Sequence, residues 1–133
     1  YFIVHRVSGE NEGELRKTMQ HVADSLKEAG HTYYCTFLDR KENPGKFDKM
    51  NQVALLVHSY KKLDSCDALI VVLYREEKSE GLLMEIGYSF AKKKRIVLAI
   101  DKKIKNTYLR EVADEVIEFN NFEELNNTLR EKK

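Results

Sequence analysis

The chain has one proline, two cysteines, six glycines and no tryptophan, and its charges nearly cancel, with 23 Lys and Arg against 22 Asp and Glu for a net +1. Each scarcity closes off a class of protein. Cys35 and Cys66 are far apart and form no CxxC pair, so reduced thiols in a cytoplasmic protein are expected rather than a disulfide framework or a zinc site. A balanced charge gives no overall field to draw nucleic acid or an anionic membrane. The basic runs 92–95 and 102–103 are surrounded by acids and read as solvated faces. No stretch has the pattern of a signal peptide or an apolar span of about 20 residues, so no membrane partner is expected. With no linker, repeat or low-complexity tract, 133 residues read as a single domain, 1–133, large enough for one core.

Absent motifs narrow the chemistry further. There is no GxxxxGK[ST] phosphate loop, no GxGxxG after the first apolar run and no GxSxG elbow. The third strand ends Leu73-Tyr74-Arg75, without the aspartate a phosphoacceptor domain needs. His5, His21, His31 and His58 are scattered without HExxH spacing; no metal and no cofactor are expected.

What remains is an alternation of short apolar runs and amphipathic segments. Strands are expected at 1–7, 31–38, 67–74, 95–100 and 115–118, from their β-branched and aromatic content. Helices are expected at about 11–29, 47–63, 80–93, 107–112 and 121–131, with 39–46 a polar loop. "DALIVVLY" (67–74) is apolar throughout, as in a central parallel strand covered on both faces. The alternation predicts a three-layer α/β sandwich with a mostly parallel five-stranded sheet of flavodoxin or Rossmann type. Ligands of such sheets bind at the C-terminal strand ends, where strand order reverses, which directs attention to the loops 5–13, 38–47 and 74–81.

The last of these loops opens "EEKSEGLLMEIGYSFAKKK" (76–94). Ser79 is a candidate N-cap, and Gly81 lets backbone approach a bound molecule. Glu85 follows about one turn in, its side chain leaning back toward the cleft. The helix dipole favours an ionised carboxylate there, and such a carboxylate can attack an anomeric carbon. The same physics makes it a merely stabilising acid, so the residue alone leaves both roles open.

The longer stretch "CDALIVVLYREEKSEGLLMEIGYSFAKKKRIVLAI" resembles the nucleoside 2-deoxyribosyltransferase family, with its relatives that hydrolyse nucleoside 5′-monophosphates. The resemblance is carried by Asp67 opening the central strand, by Ser79 and Gly81, by Met84-Glu85-Ile86-Gly87-Tyr88 and by Lys94. Tyr1-Phe2 matches the family's first-strand Tyr-Phe. The resemblance implies that Glu85 is the nucleophile, that Tyr1 orients it, and that Ser79 and Gly81 touch the sugar's 5′ end or its phosphate. Asp67 is read as capping its strand. A nucleoside or nucleotide substrate and a homodimer or higher homo-oligomer are also implied.

Two departures bear on activity. The first loop lacks the family's early glycine, although Arg6, Ser8 and Gly9 could offer a cation and backbone N–H groups to a phosphate; Arg6 could equally be a solvated strand end. The family's acid eight positions before the central-strand aspartate is replaced by Ser59, beside His58. A lone helical histidine is more often a packing residue than a substitute acid. After the second strand, Tyr34, Thr36 and Phe37 are the only candidates for base contacts. The expected activity is N-glycosidic cleavage, hydrolysis favoured over base transfer. The alternatives are a nucleotide-sensing module on the same scaffold or a purely structural domain.

Overall fold

The computed structural model describes residues 1–7 and 9–133. Its strands are β1 (Phe2–His5), β2 (Ala68–Leu73), β3 (Arg95–Asp101) and β4 (Glu115–Phe119), and its helices are α1 (Glu12–Glu28), α2 (Thr36–Glu42), α3 (Gln52–Asp64), α4 (Glu80–Ala91), α5 (Leu109–Val112) and α6 (Phe122–Arg130). The strands pair in parallel in the order β1-β2-β3-β4. Every residue of β2 is buried, because alternate side chains serve two cores. Ile70 and Val72 meet α1 and α6, whereas Leu69, Val71 and Leu73 meet α3, α4 and α5. Each such aliphatic side chain contributes about 1.5–3 kcal/mol by leaving water. Among the described residues no helix is long and apolar enough to cross a membrane.

The sheet has four strands, not five. The expected strand at 31–38 is reduced to one parallel bridge between Tyr34 and Phe2, closed by Ile3 N–H donating to Tyr34 O (2.8 Å) and Tyr34 N–H donating to Tyr1 O (2.9 Å). From Thr36 the chain turns into α2, which also takes the first part of the expected polar loop. Side-chain chemistry explains the switch. The Asp39 carboxylate accepts from the Tyr34 hydroxyl (2.5 Å), Asn43 Nδ2 (2.8 Å) and Lys46 Nζ (2.9 Å), contacts that gather 34–46 into a compact turn. Cys35, Phe37 and Leu38 go under it into the core. The bridge nonetheless puts this segment outside β1 while β2 lies on the other side. Strand order therefore still reverses beside β1.

Candidate active site

A cleft of about 840 Å³ opens at that reversal. Its floor is β1 and the residues after it. One wall is the start of α4, with Ser79, Gly81, Met84 and Glu85; the facing wall is α2 and α3, with Thr36, Phe37, Arg40, Gln52 and Ser59. Ser79 caps α4 as expected, its hydroxyl accepting from Leu82 N–H at 3.3 Å. This cap aims the helix start into the cleft.

Glu85 is half-buried in the α4 wall. Burial pushes its carboxyl from 4.5 up to about 7, opposed only by a hydrogen bond from the Ser59 hydroxyl. This reverses the sequence expectation of a carboxylate kept ionised by the helix dipole. Glu85 lies five residues beyond Glu80, the first residue of α4, and the dipole's influence fades after the first turn. Desolvation then dominates, and it always favours the neutral acid. Ser59 Oγ lies 3.2 Å from Thr36 Oγ1. Either hydroxyl can be the donor of that pair, which joins α2 to α3 beside the Glu85 carboxyl.

The other substrate-site candidates gather at the upper end of the cleft. Arg6 Nη1 donates to Glu77 O (3.3 Å) and lies 3.6 Å from the Glu77 carboxylate. Gly9 has φ +81°, and a Cβ there would stand 3.0 Å from Arg6 Nη2, so this glycine allows the guanidinium to lie against the loop. Ser8 lies outside the described residues. Gly81 faces the cleft with nothing within 4 Å of the place a Cβ would take. Gly81→Ala should therefore fold normally and gain up to about 1 kcal/mol in helix propensity. Its methyl group would intrude only on a bound molecule. The expected result is a melting temperature equal to or above wild type with KM raised several-fold; a KM left unchanged would remove Gly81 from the site.

Tyr1 does not join this group. Side chains alternate across a strand, and it is Phe2 and Val4 that face α4, while Tyr1 packs with the opposite core. The Tyr1 ring meets His31 edge-on at 5.1 Å, at the end of β1 away from the cleft. The hydroxyl that acts on the Glu85 carboxyl, lowering its pKa, is that of Ser59. Asp67 is exposed at the start of β2, also at the far end. His58 turns away from the cleft, its Nε2 2.8 Å from the Tyr34 hydroxyl and its ring against Phe47. Of the three base-contact candidates, Thr36 and Phe37 line the cleft and Tyr34 does not. The remaining family-like residues serve packing: Tyr88 stacks on Tyr60 at 4.0 Å and donates to Asp64 (2.7 Å), and Lys94 Nζ caps α3 through Asp64 O (3.0 Å) and Cys66 O (2.8 Å).

Two lining residues were not singled out from sequence. His5 is buried at the end of β1; its Nδ1–H donates to Arg6 O (3.0 Å), leaving Nε2 to accept from the Cys35 thiol at 3.5 Å. Burial pushes His5 down to about 4 and Cys35 up to about 12, so both are neutral. Arg40 was hidden by reading its surroundings as a strand and a loop. Among the described residues no group of three or more His, Cys, Asp and Glu side chains converges as a metal site would require.

A three-layer α/β fold with a cleft beside the reversal of its strand order is an architecture that binds small molecules at that place. The family model for nucleoside 2-deoxyribosyltransferase matches residues 10–128, and the chain belongs to this family, whose enzymes cleave or transfer at N-glycosidic bonds. No curated protein sequence matches it. Its fold is similar to that of a CMP N-glycosidase from Clostridium botulinum (21% identity, 97% of each chain, TM-score 0.64). It is also similar to a 2-deoxyribosyltransferase from Bacillus psychrosaccharolyticus (17% identity, 97% of this chain and 96% of that one, TM-score 0.64). A conserved protein of Enterococcus faecalis shares the fold as well (15% identity, 97% and 96%, TM-score 0.62).

Proposed function

We propose that the chain hydrolyses the N-glycosidic bond of a nucleoside or, preferentially, a nucleoside 5′-monophosphate, with Glu85 as nucleophile. The observation that carries this is the Glu85 carboxylate itself: in the cleft wall, largely desolvated, and steadied by one hydroxyl. A desolvated carboxylate near its pKa at neutral pH is a stronger nucleophile than a solvated one. In the first step a Glu85 Oε attacks the anomeric carbon, the C–N bond breaks and the electron pair leaves with the base. Water then attacks the same carbon and frees the sugar and the carboxylate. The monophosphate is favoured by the N–H groups at the start of α4 and by the Arg6 guanidinium, which lines the same end of the cleft.

Incubation with a panel of ribo- and deoxyribonucleosides and their 5′-monophosphates should release free base. Tight nucleotide binding without release from any of them would leave the sensing module as the function. A homo-oligomer fits the same reading, since Val53 and Val57 of α3 and Leu83 and Met84 of α4 are exposed. A monomer by light scattering at assay concentration would remove that part.

Among the described residues, Ser59 is the side chain that favours the ionised Glu85. Ser59→Ala should move the acid limb of the rate profile upward from about 7 and lower the rate at pH 7, with the high-pH plateau less affected. An unmoved limb would show that Ser59 does not tune the nucleophile.

A further inference from the structure

The proposed cleavage leaves one charge without an owner. When the C–N bond breaks, the base departs with an electron pair, and the position that carries an acid in the family is Ser59 here, whose hydroxyl is too weak an acid to protonate a departing base. His5 is neutral, with its Nε2 facing Cys35. The lining acids Glu77 and Glu80 sit with Lys78 at the start of α4, on the nucleophile's own wall.

Displacement at the anomeric carbon is in line, so the base leaves on the side opposite Glu85, toward α2 and the start of α3. There the one cation lining the cleft among the described residues is Arg40. The helix that bears it is braced on both flanks. Asp39 is tied to Tyr34, Asn43 and Lys46 on one side, and Lys41 pairs with Glu12 of α1 on the other. These contacts use the neighbouring charges of α2. Arg40 itself has no ion-pair partner among the described residues, and Glu12, the acid that feels its charge, is already taken by Lys41.

We propose that Arg40 stabilises the departing base as an anion, in place of a general acid that would protonate it. This rests on the N-glycosidase reading above. The guanidinium is always charged and presents a planar fork of donors, suited to the exocyclic oxygen and ring nitrogen of a base, where the leaving electron pair is delocalised. The C–N bond breaks, the bond from Glu85 Oε to the anomeric carbon forms, and the pair resides on the base held against Arg40. The base takes its proton afterwards from water, and a second water opens the ester.

The test compares wild type, Arg40→Ala and Arg40→Lys on the nucleotide that wild type cleaves. Each is also assayed on an analogue whose base leaves more easily, 5-fluoro on a pyrimidine or 7-methyl on a purine. Arg40→Ala is expected to lose roughly 10²-fold in kcat on the parent, the scale of a lost transition-state donor, and less than about tenfold on the analogue. Arg40→Lys should fall between, and Arg40→Ala should be partly restored by added ethylguanidinium. Thermal midpoints should lie close together, since the exposed side chain makes no ion pair among the described residues. Equal losses on both substrates, or a loss confined to KM for monophosphates, would overturn the proposal and make Arg40 a binding residue. Base release by wild type that Arg40→Ala matches would also overturn it while the N-glycosidase reading stands; no release by wild type would overturn both.

Discussion

Glu85→Gln is expected to reduce base release by roughly 10⁴-fold or more while nucleotide binding persists, because a nucleophile's contribution exists only in the bond-forming step. Glutamine keeps the shape of the side chain and can still meet Ser59, so the α4 wall should be unchanged, and calorimetry should return a nucleotide affinity within about tenfold of wild type. Glu85→Ala should lose as much activity, but its smaller side chain leaves room for a small external anion; formate should restore part of the rate to Ala and none to Gln. A 2-fluoro-2-deoxy nucleoside should add its sugar mass to the peptide bearing Glu85 in wild type alone. Base release undiminished in both variants, or a label on another residue, would remove Glu85 from the reaction.

The second large effect is on stability and its pH dependence. The Glu85 carboxyl is raised from 4.5 to about 7 on folding. Between those values the folded chain binds a proton that the unfolded chain releases, so stability must fall as pH rises through this window and level off above it. At 1.36 kcal/mol per unit the ceiling is about 3 kcal/mol, reduced by whatever water reaches the site. Glu85→Gln removes that cost: the variant should match wild type near pH 4.5 and exceed it by up to about 3 kcal/mol at pH 8. Wild type alone would conceal the effect. His5, lowered from 6.5 to about 4 by burial, costs stability as pH falls through an overlapping window, and the two slopes oppose each other. The difference between the two proteins cancels His5, and urea titrations at pH 4.5, 6 and 8 read it directly. Parallel curves would mean that Glu85 titrates normally. The same ionisation places the acid limb of kcat/KM near pH 7, activity rising with pH.

How far the chain could be read from its sequence depended on how local the deciding physics was. β2 announced itself because six consecutive apolar residues suit burial on both faces, and α4 because Ser79 is a cap. The stretch 31–38 misled because Tyr33, Tyr34, Thr36 and Phe37 have strand-forming side chains, while the helix at Thr36 depends on Asp39 collecting partners from 34 to 46. Losing that helix also lost Arg40. Tyr1 failed by one residue: a strand's faces alternate, and the family-like Tyr-Phe pair puts Phe2 toward α4. Ser59 was noticed as a missing acid, but its contact with Glu85 depends on how α3 and α4 pack. Glu85 was singled out by position and does line the cleft, but its titration was misjudged because burial is a tertiary property.

The two walls of the cleft differ in how they are mounted. α4 packs across β1, β2 and β3, so a change there is felt throughout the sheet. α2 is a seven-residue helix at the edge, held by buried Phe37 and Leu38 and by polar clasps around it. In the proposed reaction the first wall carries bond-making and the second meets the departing base. Choice of base is thus partly separable from chemistry: with Arg40 kept, exchanging the other cleft-lining side chains of α2 can redirect selectivity while the reacting group stays fixed, which makes that short helix the natural place to diversify or engineer this scaffold.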